Sequence, residues 1–317
     1  MAKMAIGIDL GGSHVLAAIV DPDGKIVARA ERDIVDTAID GVVTLIASAV
    51  AEAADATKDK IEAIGLGSPG SIDIASGAVR YSPNFNWHDV PLGERLRQAI
   101  GKPVIVGNDA RCATLGEFTY GTGRGVSNFV LLTLGTGIGG GIVAGGKLVI
   151  GKHGGAGEVG HHQIRATDGF ICGCGKRGCF EAQASGTGLI RHALALAPSF
   201  PRSELVSGKP AKLGSKAIRK AAESGDGHGV AAWNAYVDDL ARGIANIIAF
   251  VDPDVIALGG GVASAGEFLT HALAPRVDAL VTMVPRGETR IVAAALGNDA
   301  GAIGAATMAR TAALSTP

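Results

Sequence analysis

An apolar strand that feeds a glycine turn occurs once in each half of the chain, as "KMAIGIDLGGS" and as "FVLLTLGTGIGGG", and this recurrence constrains the fold more than any other feature. Between and beyond the two turns, β-branched runs bounded by glycine predict strands, and apolar residues at helical spacing predict helices. "HVLAAIVDPDGKIVARAERDI" reads as two further strands joined at "DPDG", so the chain opens as a β-meander. "TAIDGVVTLIASAVAEAADAT" reads as a helix, "IEAIGLGSPG" as a strand entering a tight turn, and "KPVIVGNDARCATLGEF" as a strand entering a helix. Past residue 120, "FVLLTLGTGIGGGIVAGGKLV" reads as a glycine-turned hairpin and an irregular glycine-rich region runs to about residue 180. Helices then dominate, led by "GVAAWNAYVDDLARGIANIIAFV"; "DVIALGGGV" is a short strand and "NDAGAIGAATMARTAAL" a closing helix. The expectation is an α/β protein of two related domains with a cleft between them.

With 317 residues, 47% of them hydrophobic, the chain can bury a large core, and its formal net charge of −1 shows no bias toward polyanions. Neither nucleic acid nor a membrane surface is expected as a partner. No apolar run approaches the roughly 20 residues that span a bilayer, and "MAKMAIGIDL" leads directly into a strand, so a cytoplasmic location is expected.

The glycine turns also suggest chemistry. In Asp9, Gly11, Gly12 and Ser13, and again in Gly135, Thr136, Gly137, Gly139 and Gly140, missing Cβ atoms let backbone N–H groups close around phosphate oxygens, and Ser13 and Thr136 add hydroxyl donors. Gly259, Gly260 and Gly261 form a third such turn that could admit the flat face of a base or ribose. One glycine after a strand is usually only a turn; three strand-end turns together favour a nucleotide site. Two rival motifs fail on the same residues. Gly135, Gly137 and Gly140 match the dinucleotide fingerprint, but the following "GGIVAGGKL" is too rich in glycine and β-branched residues to be its helix. Gly141, Gly146 and Lys147 match part of a Walker loop, but Leu148 stands where a magnesium-binding hydroxyl belongs.

"FICGCGKRGCFEA" places Cys172, Cys174 and Cys179 in one short stretch of a chain whose other cysteine is Cys112. Three clustered thiols cannot all pair among themselves, and disulfides seldom persist in a reducing compartment. Gly173, Gly175 and Gly178 give the freedom to fold three thiolates onto one ion, and His161, with His162 and His153 as competitors, could complete a closed Cys3His zinc set. A flexible loop with free thiols is the bland alternative. In "IVGNDARCATLGE", Asn108 and Asp109 lie where a strand meets a helix, a place that suits an ordinary helix cap as well as a base that accepts a proton in phosphoryl transfer.

Taken in order, "DLGGS", "GSPG", "YSPNFNW", "VGNDARCATLGE", "LGTGIGGG", "GEVGHH" and "CGCGKRGCFEA" resemble the successive signatures of the ROK family of sugar kinases and repressors, over nearly the whole chain. The resemblance implies the actin-like ATPase (ribonuclease H-like) fold. It divides the chain into an N-terminal α/β domain over 1–118, completed by a C-terminal helix at about 299–317, and a larger domain over 119–298 that carries the zinc site. It implies ATP-dependent phosphorylation of a hexose, glucose before other hexoses or N-acylhexosamines, at the 6-hydroxyl, with magnesium and a structural zinc. A non-catalytic sugar sensor is the reading from another class, and a homodimer or homotetramer is compatible with the family.

Carried over by position, the pattern makes Asp109 the catalytic base and Asn108 its sugar-binding neighbour. Glu158, His161 and Glu181 meet sugar hydroxyls, and Gly70 and Asn84 line the same pocket. Zinc falls to His161, Cys172, Cys174 and Cys179, so that the other ring nitrogen of His161 can meet the sugar. ATP phosphates lie on the first two glycine turns with Asp9 helping to hold hydrated magnesium, and adenosine lies near Gly259 to Gly261. Locally, Glu158 and Glu181 read only as solvated loop acids. Two departures stand out: Ser13 replaces the family's usual threonine, and Gly107 replaces the common glutamate before Asn108. The family's repressors carry an added N-terminal DNA-binding domain; with the first glycine turn already at Asp9, none is expected here.

Overall fold

A computed structural model of the chain describes residues 3–207 and 213–315. It separates into two compact units, Met1–Gly125 with Gly141–Gly157 and Ala295–Pro317, and Val126–Gly140 with Glu158–Ala294. Residues 316 and 317, at the end of the expected closing helix, lie outside the described residues.

The first unit is built on strands β1 (Met4–Leu10), β2 (His14–Val20), β3 (Ile26–Asp33), β4 (Ile61–Ser68) and β8 (Ile105–Asn108). They form one sheet in the order β3-β2-β1-β4-β8, with the meander antiparallel and β1, β4 and β8 parallel. A small antiparallel sheet of β5 (Ser71–Asp73), β6 (Ala78–Ser82) and β7 (Trp87–Val90) follows β4. Its strands are too short to show a clear alternation in the sequence, and they are fixed instead by tertiary contacts: Phe85 stacks on Trp87 at 4.5 Å and Trp87 Nε1 donates to Thr37 O at 2.9 Å.

Helices cover both faces of this sheet. α1 (Ile39–Asp55) buries Val42, Val43, Ile46, Ala49, Val50 and Ala53, the helical periodicity seen in its sequence. With α2 (Leu92–Ile100) it packs against Ile6, Ile8, Leu66 and Val106. α3 (Asp109–Tyr120) and α10 (Ala300–Ser315) pack on each other, and α10 lies on β1 and β4. The helix approaches at backbone distance: a Cβ on Gly7 would fall 1.7 Å from Ala302 O and one on Gly65 2.0 Å from Ala305 O. Residues 141–157, assigned with the second domain from sequence, cluster with the first unit. Gly141 lies on Thr114, Arg111 Nε donates to Ala156 O at 2.7 Å, and Arg80 Nη1 donates to His153 O at 2.7 Å.

The second sheet repeats the first. β9 (Phe129–Leu134), β10 (Ile138–Ala144), β11 (Lys147–Leu148), β12 (Val255–Gly259) and β13 (Arg290–Ala293) run in the order β11-β10-β9-β12-β13, again a hairpin-linked first three strands followed by two parallel ones. β10 passes from one unit to the other at Gly140 and Gly141. The irregular stretch before residue 180 holds a 3-10 turn at Val159–His161. α4 (Phe180–Ala184), α5 (Gly186–Leu196), α6 (Glu204–Ser207), α7 (Ser215–Glu223), α8 (Gly227–Val251) and α9 (Glu267–Leu280) follow. α8, the strongest helix in the sequence, starts where the Asp226 side chain accepts from Gly229 N–H at 2.8 Å, and it packs on α4, α5, α7 and α9. Among the described residues no helix is long and apolar enough to cross a membrane.

Candidate active site

In the first unit, parallel strands deliver the functional candidates from their carboxyl ends. β1 ends at the Asp9 turn, which closes when Gly11 N–H donates to His14 O at 2.9 Å. Ser13 is exposed, its hydroxyl 3.4 Å from His14 Nδ1. A Cβ on Gly12 would lie 3.2 Å from Asn84 Nδ2, so Asn84 borders this turn. β8 ends at Asn108, which engages both ends of its amide: Oδ1 accepts from Arg111 N–H at 3.1 Å and caps α3, while Nδ2 donates to Gly70 O at 3.2 Å. Gly70 has φ +110, and a Cβ there would meet Tyr81 O at 2.2 Å, so only glycine fits. Asp109 is the first residue of α3, and its Oδ1 accepts from Ala110 N–H at 2.8 Å.

Asp9 and Asp109 feel each other. Burial, and second the Asp109 charge, push the Asp9 carboxyl up to about 7. The carboxyl sits against the start of α10, where a Cβ on Gly301 would come within 2.6 Å of it. At Gly107 a Cβ would meet Met308 Sδ at 2.7 Å, so α10 fills that space.

The second unit carries the other two turns side by side. Gly260, at φ +85, lies on the end of β9, a Cβ there falling 2.7 Å from Leu134 O, and Val262 N–H donates to Leu134 O at 3.0 Å. Gly259, Gly260 and Gly261 thus adjoin the turn that holds Thr136 and Gly137. Glu181, on α4, reaches the same turn: its Oε2 accepts from Ile138 N–H at 3.0 Å, and a Cβ on Gly137 would fall 2.4 Å from it. Glu181 Oε1 is 3.7 Å from Cys172 Sγ, so this acid bridges the Thr136 turn and the thiol cluster. Glu158 O accepts from His161 N–H at 3.1 Å and sets the 3-10 turn ahead of the imidazole.

His161, Cys172, Cys174 and Cys179 offer ligand atoms that all lie within 4.8 Å of one another. Cys174 and Cys179 sulfurs are 3.6 Å apart, and Cys172 Sγ is 3.7 Å from His161 Nδ1. Tetrahedral zinc with Zn–S bonds of about 2.3 Å would hold two sulfurs about 3.8 Å apart, so the four residues fit that ion. His162 instead places Nδ1 against Val159 O, and His153 clusters with the first unit. Burial pushes the Cys172 thiol up, and burial with its two thiol neighbours pushes Cys179 up to about 12; a backbone N–H from Lys176 draws Cys174 down. Metal binding would require these thiols as thiolates and so would release their protons. Of the three hairpin glycines, Gly175 and Gly178 have φ +86 and +72, whereas Gly173 needs no such freedom. At Gly178 a Cβ would fall 1.5 Å from Arg165 O.

Arg165 also ties the hairpin to α8, a feature with no motif in the sequence. Its Nε donates to the fully buried Asp239 at 2.7 Å, Arg242 Nη1 donates to the same oxygen at 2.6 Å, and His192 Nε2 lies 3.2 Å from the other. Gly186 and Thr187, which hydrogen-bond Gly135 O and Thr136 O, carry no motif of their own either. The "ASGTG" that contains them follows the cysteine segment directly and was the available signal.

A fold of two like sheets with glycine turns at their strand ends, one acid pair and a Cys3His hairpin defines a class of phosphotransferase-like α/β proteins. The ROK family model matches residues 5–312, and the chain belongs to the ROK family. It is 41% identical over 308 residues to the glucokinase of Thermotoga maritima, covering 96% of each chain. It is 30% identical over 276 residues to a putative xylose repressor of Caldicellulosiruptor, covering 85% of this chain and 69% of that one. Among solved structures, a ROK family glucokinase from Streptomyces griseus in complex with glucose and AMPPNP superposes with a TM-score of 0.84 at 36% identity, covering 98% of this chain and all of the other. The fold is that of the actin-like ATPases, as the motifs implied.

Proposed function

We propose that this chain is an ATP-dependent glucokinase that transfers the γ-phosphoryl group of ATP to the 6-hydroxyl of glucose. The observation that carries this reading is the placement of Asp109 at the first turn of α3, beside Asn108 and within electrostatic reach of Asp9, in a chain similar over almost its full length to proteins named glucokinase. Asp109 takes the hydroxyl proton as the new bond to phosphorus forms. Asn108 fixes the start of α3 and so the direction of the Asp109 carboxylate. Asp9 would hold hydrated magnesium, which supplies neutralising charge to the phosphates when bound. The turns at Gly11–Ser13 and Thr136–Gly137 supply backbone N–H groups and hydroxyls to phosphate oxygens, and Gly259 to Gly261 accommodate adenosine. Gly70, Asn84, Glu158, His161 and Glu181 orient the sugar. Zinc, held by His161, Cys172, Cys174 and Cys179, would lock the hairpin and the imidazole tautomer.

A panel of glucose, fructose, mannose, allose, N-acetylmannosamine and N-acetylglucosamine with MgATP tests this directly. Sugar phosphate and ADP should form together and fastest with glucose. A different preferred sugar would reassign the substrate, and binding without ADP release would place the chain with the family's sensors.

A further inference from the structure

The turn from Gly135 to Ile138 is braced from outside by the segment that follows the last thiol of the metal cluster. Cys179 opens α4; Ser185 caps α5, accepting from Gly188 N–H at 3.1 Å, and the first two residues of α5 take hold of the turn. Gly186 N–H donates to Gly135 O at 2.8 Å, and the Thr187 hydroxyl donates to Thr136 O at 2.8 Å. Gly135 N–H donates to Gly137 O at 3.0 Å, and Glu181 takes Ile138 N–H.

A trans peptide carries its C=O and N–H on opposite sides. Drawing the Gly135 and Thr136 carbonyls onto α5 therefore directs the N–H groups of Thr136 and Gly137 the other way, as two successive donors of the kind that bind an anion. Glycine on both sides of Thr136 leaves these peptides little steric resistance to rotation. A rotated Thr136–Gly137 peptide would present a carbonyl oxygen to phosphate in place of a donor.

We propose that Thr187 is a positioning residue for the nucleotide phosphates: its hydroxyl fixes the Thr136–Gly137 peptide so that the Gly137 N–H stays aimed at the anion. The proposal rests on the kinase reading of this turn. Thr187 is exposed, so its substitution leaves the core intact. The Gly186 contact comes from the backbone and survives any side-chain change, so Thr187 is the separable part of the brace.

The test compares wild type, Thr187→Val and Thr187→Ser as full-length, zinc-loaded protein, by calorimetric binding of AMPPNP and by the KM for ATP and for glucose. Losing one such hydrogen bond should weaken AMPPNP binding and raise the KM for ATP about three- to tenfold in Thr187→Val, with the KM for glucose unchanged. Thr187→Ser, which keeps the hydroxyl, should behave as wild type. Wild-type AMPPNP affinity in Thr187→Val, or equal losses for both substrates, would overturn the proposal. Failure of the wild-type protein itself to bind AMPPNP would overturn the kinase reading and this proposal with it.

Discussion

Asn108 resolves an ambiguity that the sequence posed: the strand-to-helix junction that suits a helix cap also suits a functional pair, and here one residue caps α3 while it anchors the loop at Gly70. Local pattern could place Asn108 and Asp109 but could not choose between the roles, because both use the same geometry. Asp239 gave no local sign, since its partners come from positions 47 to 74 residues earlier and from its own helix. Burial alone would raise its carboxyl, but hydrogen bonds from His192 and Arg165 and the Arg165 charge hold it below its ordinary value. A carboxyl lowered by folding contributes stability that is present above its unfolded pKa of about 3.9 and is lost as pH falls through the folded value. Asp239→Asn should therefore cost about 1–3 kcal/mol at pH 7, where it strands buried donors, and the deficit should shrink below about pH 4. Denaturant melts of both proteins across that range check it; a deficit that stays constant with pH would assign the loss to packing.

At the scale of elements, the thiol hairpin was legible because its chemistry is local. Three thiols and two turn-forming glycines lie within eight residues, and the matching histidine lies eleven residues upstream of Cys172. The closing helix α10 was legible as a helix, but not the reason that Gly7 and Gly65 interrupt apolar strands, because the backbone that approaches them arrives from the far end of the chain. The short strands β5, β6 and β7 were missed for want of length. Cys174 is exposed, so Cys174→Ser removes a ligand with little packing cost. Zinc content and glucose affinity should fall together in that variant, measured by elemental analysis and calorimetry, and zinc-free protein with full glucose affinity would separate the hairpin from the sugar site.

The whole molecule repeats one sheet order twice, and the sequence recurrence of a strand entering a glycine turn follows from that repetition. The candidate residues divide between the two units: the first holds the acids Asp9 and Asp109, and the second holds the Thr136 and Gly260 turns and the Cys3His hairpin. In the proposed reaction Asp109 is the residue on which proton transfer would depend. Glucose 6-phosphate formation from glucose and MgATP, followed in wild type and Asp109→Asn alongside glucose binding by calorimetry, therefore tests the account most directly. The account predicts turnover in the variant lowered by at least about a thousandfold with glucose still bound, because shape survives while proton acceptance does not. Near wild-type turnover in Asp109→Asn would contradict it.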